Sequence, residues 1–113
     1  MNDIKKYIKD GKVAVAISPC YGGAWSSWEN KPDLKATLLF HPDIIQMILD
    51  GRRTEITNKW LIEHFGEEYK HVYVGGNIHL IIEWVAVGAK FRIHEYDGSE
   101  RVVLYEDENW FIA

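Results

Sequence analysis

Cysteine is nearly missing from this chain. Cys20 is the one thiol in 113 residues, which excludes an internal disulfide framework and a zinc site built on cysteine pairs. With three prolines and no repeat, the chain belongs to no fibrous or low-complexity class, and no stretch approaches the roughly 20 apolar residues of a membrane span. Positive charge is in deficit. Thirteen Lys and Arg face seventeen Asp and Glu, a net charge of −4, which argues against a duplex-DNA binder that depends on phosphate neutralisation. The opening MNDIKKYIKDGK is charged where a secretory signal would be apolar, so a cytoplasmic protein with no membrane contact is expected. What is present is core: 47% hydrophobic against 27% charged residues suits a folded chain, and 113 residues suffice for a single domain, 1–113.

Ile4, Tyr7 and Ile8 recur at helical spacing before Gly11 and predict a short N-terminal amphipathic helix. The run KVAVAIS, Lys12 to Ser18, predicts a central strand buried on both faces, ended by Pro19. PCYGGAWSSWENKPD then has no period and predicts a long loop, a kind of segment that tends to carry function. Ala36 to Phe40 is a short strand or the lead into a helix. His41-Pro42-Asp43 marks a helix start, with the helix running to Gly51, and Thr54 or Thr57 caps a second helix that stops at Gly66. From His71 the period becomes two, with a strong hairpin signal at Asp97-Gly98 and, near the end, Trp110 and Phe111 as a further short strand. The expected fold is therefore α+β, a mainly antiparallel sheet of about five strands with two helices packed on one face.

If the AVGA turn pairs Val85 with Lys90, then Glu83 faces Arg92, Ile81 faces His94 and His79 faces Tyr96. Pairing Tyr96 with Ser99 sets His94 against Arg101 and Ile93 against Val102. One face then carries Leu80, Ile82, Trp84, Phe91 and Ile93 and takes the helices. The other displays His79, Glu83, Arg92, His94, Tyr96 and Arg101, with Ile81, Val103 and Tyr105 among them. Arginines and histidines beside rings on a rigid sheet suit an anionic ligand that contains a base. The bland alternative is a solvated face with a weak Glu83–Arg92 pair.

The loop Tyr21-Gly22-Gly23-Ala24-Trp25-Ser26-Ser27-Trp28 is the second candidate. Adjacent glycines expose backbone N–H groups and Trp25 and Trp28 can stack on a flat ring, although the spacing of a phosphate-binding loop is absent. The alternative is that the tryptophans fold back over the core. Cys20 lacks a following phosphate-binding pattern and reads as an inert thiol. His41, His64, His71, His79 and His94 show no metal-ligand spacing, so no metal and no cofactor are expected. The carboxylates Glu95, Asp97, Glu100, Glu106, Asp107 and Glu108 read as a solvated acidic edge.

AVAISPCYGGAWSSW from Ala14 to Trp28 and EWVAVGAKFRIHEYDGSE from Glu83 to Glu100 resemble a family of small uncharacterised bacterial and phage proteins. Those carry a Tyr-Gly-Ala-Gly-Trp-Ser-Thr-Trp loop and a C-terminal Glu-Trp-Val, Phe-Arg-Ile and Glu-Tyr-Asp-Gly-Ser-Glu pattern. This chain has Gly23-Ala24 in the inverse order and His94 in place of Asn. The resemblance implies no activity; a phage connection implies an accessory protein acting on a host system from the host cytoplasm.

The leading expectation is a non-enzymatic binder of a small anionic molecule, a nucleotide, acting as a homo-oligomer and sequestering a signal. The alternative is a protein-interaction module or inhibitor of a host protein. A small hydrolase built from His79, His94 and Glu83 is the third.

Overall fold

The apolar run after Asp10-Gly11 forms the middle strand of the protein. In the computed structural model, which describes residues 5–105, β1 (Ile8–Lys9) and β2 (Lys12–Ile17) make a hairpin, and β3 (Ile81–Ala86) pairs antiparallel with the other edge of β2. The expected N-terminal helix is replaced by this hairpin. Asp10 and Gly11 both have positive φ, 52° and 75°, the signature of the tight turn that matches strand twist and that helical residues cannot share. Ile4 of that expected helix, the acidic Glu106, Asp107 and Glu108, and the expected strand at Trp110 and Phe111 lie outside the described residues.

Val13 through Ile17 are all buried. Ala14 and Ala16 face the helices, where their small side chains admit Ile44, Ile45, Leu38 and Leu61; Val13, Val15 and Ile17 face the opposite way. Three α-helices supply the first layer: α1 (Pro32–Phe40), α2 (Pro42–Leu49) and α3 (Asn58–Phe65). The segment Ala36 to Phe40 is thus helical, and α1 begins inside the expected loop, with Pro32 in the first turn where its missing N–H costs nothing. Thr57, not Thr54, caps α3, accepting the Trp60 N–H at 3.3 Å, and α3 ends at Gly66.

The second layer is a hairpin, β4 (Phe91–Tyr96) with β5 (Ser99–Leu104), turned by Asp97 and Gly98, again with φ of 49° and 86°. Its register is the expected one, His94 opposite Arg101 and Tyr96 opposite Ser99. Phe91, Ile93, Val102 and Leu104 pack with Val13, Val15, Ile17, Leu39 and Val85, so the hairpin covers the side of β2 that the helices leave.

The expected pairing across AVGA is corrected here. β3 pairs with β2, setting Glu83 opposite Val15, Ile81 opposite Ile17 and Val85 opposite Val13, while β4 belongs to a separate two-stranded sheet. A strand apolar on both faces needs neighbours on both edges and covers on both sides, and β3 as edge partner with the hairpin as cover provides this. Residues 86–89 turn the chain between layers; the Val87 N–H binds the Gly11 carbonyl at 3.0 Å and that of Ala89 the Ala86 carbonyl at 3.0 Å. Trp84 and Phe91 consequently do not share a face: Trp84 stands edge-on to Tyr7 at 6.1 Å, and Phe91 meets Phe40 at 6.0 Å in the other layer. Ile81 likewise parts from Val103 and Tyr105. His79 falls in a 3-10 turn, Asn77–His79, ahead of β3.

Candidate functional site

Strand alternation sorts the β4–β5 hairpin into two chemistries. Inward positions hold Phe91, Ile93 and Glu95 on β4 and Glu100, Val102 and Leu104 on β5. Outward positions hold Arg92, His94 and Tyr96 on β4 and Arg101 and Val103 on β5, with Arg92 opposite Val103. The Tyr105 N–H binds the Lys90 carbonyl at 3.0 Å, which extends the ladder one step and sets Lys90 opposite Tyr105 on the same face. Positions 90, 92, 94, 96, 99, 101, 103 and 105 therefore present Lys90, Arg92, His94 and Arg101 with the rings of Tyr96 and Tyr105, and include no carboxylate, although the chain carries −4 overall. Arg92, Tyr96, Arg101 and Tyr105 are exposed and His94 is half-buried. At the open end of the hairpin a cavity of about 450 Å³ is lined by Ala89, Lys90, Phe91, Arg92, Val103 and Tyr105, a volume in the range of small-molecule sites.

The glycine and tryptophan loop serves the fold. Trp25 is fully buried and its Nε1 donates to the Leu38 carbonyl at 2.9 Å, so its ring offers no face to a ligand. The Gly22 N–H donates to the Asp97 carbonyl at 2.6 Å and that of Gly23 to the Cys20 carbonyl at 3.3 Å, so neither amide is open to an anion. Two other glycines abut this turn: a Cβ on Gly98 would stand 2.6 Å from the Gly22 nitrogen, and one on Gly76 would stand 2.0 Å from the Gly23 oxygen.

Glu100 ties the junction together. Its side chain is buried and accepts the backbone N–H groups of Ser18, Trp25 and Ser27, each at 2.9 Å, together with the Ser27 hydroxyl. The Ser99 hydroxyl donates to the Pro19 carbonyl at 2.6 Å beside it. The acidic edge expected at the hairpin is corrected at this position, because the strand alternation that turns Arg101 outward turns Glu100 in.

The expected site residues fall into three groups. Arg92, His94, Tyr96 and Arg101 share the outer face, and Tyr21, well exposed, meets Tyr96 edge-on at 6.4 Å and extends that face past the turn. Gly22, Gly23 and Trp25 belong to the junction. His79, Glu83 and Trp28 lie elsewhere: Glu83 on β3, His79 in the turn before it, and Trp28 against Tyr73 at 4.8 Å, whose hydroxyl binds the Gly22 carbonyl at 3.1 Å. His94 faces away from the three-stranded sheet, so His79, Glu83 and His94 are not gathered as a hydrolase would need. Among the described residues no group of three or more His, Cys, Asp or Glu converges as a metal site. Among them, too, no helix is long and apolar enough to cross a membrane.

Sequence reasoning set Val103 and Tyr105 on this face and Phe91 on the other, and left out Lys90. The signal was present in the alternations Lys90-x-Arg92-x-His94 and Arg101-x-Val103-x-Tyr105, which continue the face past the strand ends. Compared with protein-family models, curated proteins and solved structures, the chain has no match.

Proposed function

We propose that the outer face of the β4–β5 hairpin binds a small organic anion bearing a flat ring, a nucleotide, without turning it over. The observation that carries this reading is the charge sorting: Lys90, Arg92 and Arg101 with His94 on one face that has no carboxylate among the described residues, in a chain that is acidic overall. Guanidinium forks pair with phosphate in two parallel hydrogen bonds, and an exposed ring such as Tyr105 stacks on a base at the mouth of the cavity. Binding without chemistry makes the protein a sequestering agent. The resemblance to bacterial and phage proteins extends this to a signal nucleotide of a host system.

Calorimetric titration with a panel of mono-, cyclic and dinucleotides tests it. At least one should give saturable heat, and Arg101→Ala should weaken that affinity about tenfold, the worth of one charge-assisted contact. Absence of heat, together with unmoved amide resonances over residues 90–105, overturns the reading.

A second reading, association with another chain or a second copy, rests on β3. It is an edge strand of its sheet, and Ile81 and Trp84 on it and Val87 beyond it are exposed. Sedimentation equilibrium that returns a 13.2 kDa species at all concentrations removes the homo-oligomer.

A further inference from the structure

The two edges of β2 fix which way every backbone group of β3 points. Ala14 donates its N–H to the Tyr7 carbonyl at 2.9 Å, so the even-numbered residues of β2 bond to β1, and the Gly11 carbonyl, of the odd-numbered set, accepts the Val87 N–H at 3.0 Å. Through the register Val13 to Val85, Val15 to Glu83 and Ile17 to Ile81, the odd-numbered residues of β3 are the ones that bond to β2. The residues between them point the other way. In an antiparallel ladder this turns the N–H and C=O groups of Ile82, Trp84 and Ala86 to the outer edge of the sheet. That edge is closed at both ends: Arg53 donates its Nε to the Leu80 carbonyl at 2.9 Å, and Ala89 its N–H to the Ala86 carbonyl at 3.0 Å. Between these closures the N–H and C=O of Ile82 and Trp84 and the N–H of Ala86 have no hydrogen-bond partner among the described residues.

We propose that this open window pairs with the same window of a second copy, the two β3 strands running antiparallel about a two-fold axis at Trp84, so that two three-stranded sheets join into one. The inference rests on the second reading above and gives it a partner and a register. An axis at Trp84 sets Trp84 opposite its own copy, Ile82 opposite Ala86, Glu83 opposite Val85, and Ile81 opposite Val87. The exposed apolar residues Ile81, Trp84 and Val87 then each meet an apolar residue, and neither Glu83 carboxylate meets the other. Other registers are poorer. An axis at Glu83 opposes two like charges, and an axis further along the strand brings the occupied Leu80 carbonyl or the turn after Ala86 into the ladder. The shortness of the window also selects the partner. A longer extended peptide would run into Arg53 on Leu80 at one end and the turn at 86–89 at the other, whereas a second copy brings an open segment of the same length.

Sedimentation equilibrium and amide hydrogen exchange read by NMR, both over a range of protein concentration, test the pairing. The mass should rise from 13.2 kDa toward twice that value. Over the same range the amides of Ile82, Trp84 and Ala86 should gain about tenfold protection or more, while those of Glu83 and Val85, bonded inside the sheet, stay protected throughout. Trp84→Glu, which sets two carboxylates on the axis, should weaken association about tenfold or more, and Trp84→Phe should retain it. A 13.2 kDa species at every concentration, with exchange unchanged, overturns the pairing and removes the second copy from the reading of β3. Self-association that leaves the Ile82, Trp84 and Ala86 amides unprotected, or that survives Trp84→Glu undiminished, overturns this pairing alone and leaves the broader reading standing.

Discussion

Glu100 on β5 accepts the backbone N–H of Trp25 at 2.9 Å inside the core, across 75 positions of sequence. With the amides of Ser18 and Ser27 on the same carboxylate, the end of β2, the aromatic loop and the hairpin are bound to one side chain. Every partner is a donor, and a carboxylate is the one side chain that accepts throughout without offering a proton in return.

Glu100→Gln should therefore be costly despite its near-identical shape. The amide NH₂ would be turned on backbone N–H groups, leaving at least one donor buried and unpaired, a loss of about 3 kcal/mol. Urea titration gives the total. Hydrogen exchange should show protection falling first at residues 18–27, and a variant as stable as the parent would mean that the junction is held by other contacts.

Glycines separate by reason. Gly76 has backbone at 2.0 Å from where a Cβ would stand, and that backbone is the junction loop itself, so Gly76→Ala should cost more than about 3 kcal/mol. Gly11 has positive φ but nothing within 4 Å, so Gly11→Ala should cost only about 1 kcal/mol of backbone strain. Thermal melts that rank the two in the reverse order would place the close approach elsewhere.

Two short signals recur in this chain, Asp-Gly at hairpin turns and Pro-Asp at helix starts, and each was legible at one of its two such places only. Asp-Gly predicted the turn at Asp97-Gly98 because period-two strands flank it; at Asp10-Gly11 the Ile4, Tyr7, Ile8 spacing competed and the two-residue β1 was too short to show alternation. Proline followed by Asp predicted the start of α2 after His41. At Lys31-Pro32-Asp33 the same signal lay at the end of a loop rich in Gly and Trp and was absorbed into it. The central burial of β2, the cap and stop of α3 and the β4–β5 register were local properties and were readable. The partner of β3 was not, since it depends on which neighbour leaves the apolar faces of β2 covered, a property of the whole fold. Among site residues the outer-face group followed from alternation. The role of Glu100 did not, because a buried carboxylate is recognised by its distant donors.

His41 makes stability depend on pH. As the cap of α2 its Nδ1 accepts the Asp43 N–H at 3.1 Å, which needs the unprotonated nitrogen. Burial pushes its pKa below the ordinary 6.5, with Asp43 opposing and the Lys5 and His64 charges adding to the depression. The unfolded chain then binds the proton more readily than the folded one, so stability rises with pH across this window and is lost as pH falls below about 6.5. His41→Asn keeps a capping acceptor and removes the titration. Melting temperature followed from neutral to mildly acidic pH should fall less steeply in that variant. Equal slopes would assign the acid sensitivity to other groups.

Trp84, which strand alternation sets under the helices, is partly exposed, while the loop residue Trp25 fills the core. Trp25 has no exposed surface, and its indole N–H is satisfied by Leu38. Its truncation to Ala empties the centre of the helical layer and should cost about 3–5 kcal/mol, enough to unfold a marginal domain. Trp84 is 37% exposed, touches Tyr7 by an edge and borders a shallow hollow with Lys9, Asp10 and Lys12, so Trp84→Ala should cost about 1 kcal/mol in the isolated chain. Urea titration of both variants separates the two positions, and equal losses would place Trp84 in the core after all. The same measurement distinguishes solitary from associated protein. If β3 joins a second copy, the cost of Trp84→Ala grows with protein concentration, because folding is then linked to assembly, whereas the cost of Trp25→Ala does not acquire that dependence from the loss of an interfacial ring.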